Sequence, residues 1–220
     1  MNARMLGLFS GFPQRQFPDA IAKRLKAELT DRECLVFVSA WPADHARNDE
    51  DAAGMHGMFV KCGMAFRRFS VIDSRMEKAA ASKLIREADC IFLMGGHAVQ
   101  QMQLIREKEI AEAIRQSHAA ILGVSAGAYN MARRALDILE SRVPYDGLGL
   151  TDMTVKAHVR EEDRELMDAL KQISREQRIP ICAMKDNSAI FVAGDGISCI
   201  DTIWLIRDGA IQPFSREMIN

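Results

Sequence analysis

Three short stretches of this chain, Cys34–Val38 and residues 90–94 and 119–122, are apolar at every position. A strand with no polar face has to be covered on both sides, which is the situation of a parallel sheet held between two layers of helices. The intervening segments carry apolar residues at helical spacing. Ala20, Ile21, Leu25, Ala27 and Leu29 recur within 17–29, and Ala52, Met55, Met58 and Phe59 within 49–61. Met5–Phe9 and residues 65–72 read as further strands, and 76–88 as a third helix. Strands alternating with helices of this length predict βαβ units and a three-layer α/β/α sandwich with a mostly parallel central sheet. The chain has 220 residues, enough to bury one substantial core. With no proline- or glycine-rich linker to divide it, residues 1–220 are expected to form a single α/β domain.

The last third changes character. A short strand at 153–158 precedes a charged amphipathic helix at 161–178, and apolar runs at 181–184, 189–192, 197–200 and 203–206 then follow closely. Arg207-Asp208-Gly209 reads as a turn. The expectation is a cluster of strands with antiparallel pairing at one edge of the sheet.

A formal net charge of −1 gives no electrostatic reason to expect nucleic acid or an acidic membrane as a partner. No stretch approaches the ~20 apolar residues of a membrane span, and Met1-Asn2-Ala3-Arg4-Met5 lacks the apolar core of a signal peptide. The five cysteines form no Cys-x-x-Cys motif and read as reduced thiols. A cytoplasmic protein with no metal and no cofactor is expected, and a homodimer is left open.

The chemistry-bearing motif is Gly123-Val124-Ser125-Ala126-Gly127, between the apolar run at 119–122 and a helix-compatible segment. A buried strand that turns sharply into a helix at a serine presents that serine as a nucleophile, and the small neighbours let other segments approach the turn. Serine needs a base. Of five histidines, His45, His56 and His118 read as solvated or half-buried. His158 falls at the carboxyl end of a strand, the end at which open α/β sheets bind ligands. His97 follows Gly95-Gly96 at another such end. The glycines there suit backbone N–H groups approaching a reacting carbonyl oxygen, and His97 itself reads as a wall or substrate-contacting residue.

The segments Ile91-Phe92-Leu93-Met94-Gly95-Gly96-His97, Ile121-Leu122-Gly123-Val124-Ser125-Ala126-Gly127-Ala128 and Tyr145-Asp146-Gly147-Leu148-Gly149-Leu150 through Ala157-His158 resemble the peptidase E family. These are serine peptidases related to cyanophycinase, with a flavodoxin-like fold similar to that of class I glutamine amidotransferases. Residues 183–190 also look like that family's penultimate strand region. The resemblance implies Ser125 as nucleophile, His158 as general base, and the backbone N–H groups of Gly96 and Ala126 as the oxyanion hole. It further implies a third, acidic residue between serine and histidine. Glu140 fits by its spacing from Ser125; Asp137 is the rival, because this chain is shorter than the family pattern there. If 136–141 were a strand, residues three apart would not share a face, so at most one of the two would orient His158. Two positions depart from the family: His97 stands where a small or amide-bearing residue is usual, and Ala157 replaces a proline.

The expected activity is hydrolysis of a peptide or isopeptide bond in a small, possibly aspartyl, peptide. An acidic substrate calls for a cation in the crevice, and Arg133, Arg134, Lys156 and Arg160 are near in sequence. The alternative is a non-catalytic amidotransferase-like domain that binds a metabolite or protein, since folds of this type host many functions. A true glutamine amidotransferase fits poorly, because it needs a cysteine at the elbow and Cys90 lies at the start of a different strand.

Overall fold

The structure is a computed structural model and describes residues 4–194 and 196–214, so the lead-in at 1–3 lies outside it. The fully apolar runs become the middle of a seven-stranded sheet. Strands β1 (Met5–Phe9), β2 (Cys34–Val38), β3 (Arg68–Ile72), β4 (Cys90–Leu93) and β5 (Ala120–Val124) run parallel in the spatial order β1-β5-β4-β2-β3. Helices α1 (Asp19–Glu28), α2 (His45–Lys61), α3 (Lys78–Glu87), α4 (Ala98–Glu107) and α5 (Ala111–Gln116) make the crossovers.

Successive side chains of a strand point to opposite faces, and the two faces build two cores. Leu35, Phe37, Phe92 and Leu122 pack with Ile21 and Leu25 of α1 and with Met58 and Phe59 of α2. Val36, Val38, Ile91, Leu93 and Ile121 pack with Ile85 of α3, Met102 of α4 and Ile114 of α5. Phe9, Phe37, Phe59, Phe92 and Phe191 are among the largest fully buried side chains, each contributing about 1.5–3 kcal/mol by transfer from water. Helix α2 begins at His45, earlier than its apolar spacing suggests, because the Asp44 side chain accepts a hydrogen bond from Arg47 N at 3.2 Å and caps it.

The elbow segment is α6 (Ala126–Met131), and β6 (Arg134–Ala135) pairs with β7 (Tyr145–Asp146) in a small ladder beyond it. The later strands divide rather than gathering at one edge. Strands β10 (Ala189–Ala193) and β11 (Gly196–Ile200) extend the main sheet antiparallel beside β1. Strands β8 (Thr154–Lys156), β9 (Ile181–Met184), β12 (Ile203–Arg207) and β13 (Ala210–Pro213) form a second sheet in the order β13-β12-β9-β8. Helix α7 (Arg164–Gln177) covers it, with Leu170 and Ile173 against Ile181, Ala183 and Ile206. Its β8–β9 pair is parallel, and that pairing positions the site.

Among the described residues, no helix is long and apolar enough to cross a membrane.

Candidate active site

Ser125 sits on a strained elbow. It joins β5 to α6 with φ 51° and ψ −113°, a conformation that costs a non-glycine residue about 1–3 kcal/mol. Its N–H donates to Phe9 O at 2.9 Å, and its carbonyl accepts the first bond of α6 from Tyr129 N at 3.0 Å. The flanking glycines are required by contact. A Cβ on Gly127 would lie 2.1 Å from Leu93 O, and one on Gly123 would lie 2.7 Å from the Gly127 carbonyl. The elbow therefore presses against the end of β4, so that Gly95 stands beside the Ser125 side chain.

His158 reaches Ser125 from the second sheet. Its Nε2 lies 2.9 Å from Ser125 Oγ, and its Nδ1 lies 2.6 Å from Asp186 Oδ1. An ionised carboxylate only accepts, so Nδ1 carries the proton and Nε2 is left to accept from the serine hydroxyl. The parallel pairing of β8 and β9 explains the meeting. Lys156 and Met184 end the two adjacent strands on the same side of the sheet, and His158 and Asp186 follow each by two residues. The two chain exits are joined by a hydrogen bond from Val159 N to Met184 O at 3.0 Å. Buried Ser10 accepts from His158 N at 2.7 Å, and its hydroxyl faces Met184 O and Asp186 Oδ1. Gly11 completes the fit, since a Cβ there would lie 2.6 Å from both His158 Cε1 and Asp186 Oδ1.

Glu140 does not face His158; this corrects the expectation from spacing. Residues 136–141 are not a strand. Glu140 N and Ser141 N both donate to Asp137 O, closing a turn. Glu140 projects from that turn toward His97, with Oε1 3.5 Å from Nδ1. Asp137 is buried and accepts from Leu139 N at 3.2 Å, which spends it on its own turn. The acceptor on His158 is Asp186, which follows the strand Ile181–Met184 rather than lying between serine and histidine. The segment Lys185-Asp186-Asn187-Ser188 was visible as a motif. The signal that would have assigned it a role is an aspartate leaving a buried strand just before Asn187, a residue in left-handed conformation at φ 68°.

Gly95 and Gly96 follow β4, and Gly96 has φ 140°, a value that favours glycine. A Cβ on it would lie 2.2 Å from Trp41 Nε1, and the Trp41 and His97 rings meet edge to face at 4.2 Å. Behind the glycines runs a buried amide network. Gln101 Nε2 donates to Val38 O at 2.9 Å and Met94 O at 3.0 Å, and Asn130 Nδ2 donates to Gln101 Oε1 at 3.0 Å. Tyr145 donates its hydroxyl proton to Asn130 Oδ1 at 2.7 Å, and burial pushes its phenol above the usual range and keeps it a donor. Ala126 opens α6, so its N–H has no partner within the helix.

The cations considered for an acidic substrate are largely engaged elsewhere. Arg133 pairs with Asp152 at 2.7 Å and Arg134 with Asp146 at 2.9 Å. Lys156 is buried, with Nζ donating to Tyr129 Oη at 3.1 Å. Cys34, Cys62, Cys90, Cys182 and Cys199 are free. Burial raises the Cys90 thiol strongly and pushes Cys182 up to about 12, which disfavours a reactive thiolate at either. Among the described residues, no cluster of His, Cys, Asp and Glu could hold a metal ion.

The sequence model of Peptidase family S51 matches residues 10–200. No protein with a curated description matches the chain. Among solved structures, a peptidase from an acI-B1 actinobacterium superposes with a TM-score of 0.74 at 15% identity, over 97% of this chain and 95% of that one. A protein from Listeria monocytogenes EGD-e assigned as a peptidase E superposes with a TM-score of 0.66 at 17% identity, over 90% of this chain and 98% of that one. At these identities the likeness is one of fold.

Proposed function

The chain belongs to Peptidase family S51, and from that premise we propose that it is a serine hydrolase cleaving a peptide or isopeptide bond of a small peptide, with Ser125, His158 and Asp186 as its catalytic set. One observation carries this reading: His158 lies within hydrogen-bond reach of Ser125 Oγ on one ring nitrogen and of Asp186 on the other. Ser125 Oγ attacks the carbonyl carbon as His158 Nε2 takes its proton, and Asp186 stabilises the imidazolium. The negative charge gathers on the carbonyl oxygen. The N–H groups of Gly96 and Ala126 are the proposed donors to it, in a position where each such bond contributes more to the transition state than to the bound substrate. His158 then returns the proton to the leaving amine as the C–N bond breaks. Water attacks the acyl-serine with His158 again as base, releasing the carboxylate and restoring the hydroxyl.

Incubation with an activity-based fluorophosphonate and with a dipeptide panel read by mass spectrometry tests this. Labelling and hydrolysis by the parent chain, both abolished in Ser125→Ala, are the expected results. A folded parent chain that hydrolyses nothing and is not labelled would instead fit the alternative of a non-catalytic binding domain.

A further inference from the structure

Beside the nucleophile, on the face of the sheet covered by α2, lies a cavity of about 210 Å³. Its lining is mainly apolar: Phe12 from the β1–α1 loop, Met55 and Met58 from α2, Met94 and Gly95 after β4, and Val124 at the end of β5. Met58, Met94 and Val124 are themselves buried, so the walls belong to the core rather than to mobile surface chains. Sites enclosing a drug-sized ligand run to roughly 300–1,000 Å³, so this one is sized for a single side chain. Glu50, Asp51 and Arg15 also line it, and Asp51 is paired with Arg47 at 3.4 Å, so the selective feature of the cavity is its apolar wall.

Resting on the hydrolase reading above, we infer that this cavity receives the side chain of the residue supplying the scissile carbonyl, and that this side chain is an unbranched or γ-branched aliphatic one such as methionine or leucine. Two walls fix the side of the scissile bond. Val124 directly precedes the nucleophile and Gly95 directly precedes Gly96, so the cavity opens where the acyl group must sit over Ser125. The leaving amine has to lie within reach of His158 Nε2, the atom that protonates it. Methionine walls suit such an occupant, because their unbranched thioethers adjust to irregular apolar shapes.

Gly54 gives a clean probe. It lies on α2 at the cavity wall, and a Cβ added there meets nothing within 4 Å. Gly54→Phe therefore adds a ring at this wall from a Cβ position that is itself free of contacts. The experiment measures kcat/KM on Leu-Ala, Met-Ala, Gly-Ala, Asp-Ala and Ala-Leu, with the fluorophosphonate as an independent report on Ser125. Leu-Ala and Met-Ala are expected to exceed Gly-Ala and Asp-Ala by at least about tenfold, the discrimination an apolar pocket achieves for a few methylenes. In Gly54→Phe the ratio of Leu-Ala to Gly-Ala should fall by about the same factor with Tm maintained. Preference for Asp-Ala, lost in Arg15→Ala, overturns the inference while leaving the hydrolase reading intact, as does preference for Ala-Leu over Leu-Ala. No cleavage together with no labelling of Ser125 overturns both.

Discussion

Asp186 and Glu140 present the same functional group in different settings, and only one is placed to act on His158. Asp186 Oδ1 lies 2.6 Å from His158 Nδ1, while Glu140 Oε1 lies 3.5 Å from the Nδ1 of His97. A neutral imidazole serves as base only in the tautomer that leaves Nε2 free, and a fixed acceptor on Nδ1 selects it. Asp186→Asn, which can present an N–H to Nδ1 and so favour the wrong tautomer, should lower kcat by roughly 10³–10⁴ with the fold intact. Glu140→Gln should leave kcat near that of the parent. Steady-state kinetics of the two purified variants checks this, and a collapse in Glu140→Gln with little change in Asp186→Asn would reverse the assignment.

At the level of elements, the site depends on close approach between backbones. The elbow is pressed on β4 through Gly127, where a Cβ would lie 2.1 Å from Leu93 O. Neither a strand carbonyl nor a helix backbone can yield like a flexible side chain. Gly127→Ala is therefore expected to destabilise by about 3 kcal/mol, at the upper end of overpacking costs. It should also displace Gly95 and Gly96, lowering activity in the protein that remains folded. Gly57 in α2 is the control, because a Cβ there meets nothing within 4 Å. Gly57→Ala should stabilise by about 0.4–1 kcal/mol through helix propensity and reduced freedom of the unfolded chain. Urea unfolding of the two variants measures both, and equal midpoints would remove the steric account of the elbow.

Across the whole molecule, the carboxyl end of the sheet is tied to α2 by charge as well as by packing. Asp73, just after β3, is buried, which pushes its carboxyl up. Hydrogen bonds from Arg75 and Asn48 more than offset this and leave it below the usual aspartate range. Asn48 also bonds Ser39 Oγ at 2.7 Å and Trp41 O at 3.0 Å, and Arg75 bonds Asp49 at 2.6 Å. A carboxyl whose folded-state pKa is depressed contributes stability that is present above its unfolded value of about 3.9 and is lost as pH falls through the folded value. Asp73→Asn should thus be less stable than the parent at pH 7 by about 1–3 kcal/mol, and the gap should shrink as the buffer is taken below about pH 4. Urea midpoints that differ by the same amount at both pH values would rule out this linkage.

Periodicity made the frame legible in the sequence. Runs such as Cys34–Val38 with no polar face read as strands covered on both sides, and the helical spacing around Leu25 and Met58 supplied the covers. Local chemistry likewise marked the elbow, because Gly123, Ser125 and Gly127 answer to contacts within one strand-turn-helix unit and its neighbouring strand. His158 was recognisable as the residue ending a short strand. What periodicity could not supply was the register of the neighbouring strand and the path of the chain beyond it. The parallel pairing of β8 with β9 across α7 brings Asp186 to His158; the strand-helix-strand pattern permits that pairing, but its register and the turn after Met184 are set by tertiary contacts. Sequence spacing pointed instead to Glu140, whose segment closes into a turn through backbone bonds to Asp137. The sequence by itself determined the layers, the elbow that carries Ser125 and the place of His158 just beyond a strand end, since each rests on short-range pattern. Only the tertiary structure decided the carboxylate, the Ser10 and Gly11 cradle around it, and the apolar cavity, because each is assembled from strand ends that meet only after the sheets have formed.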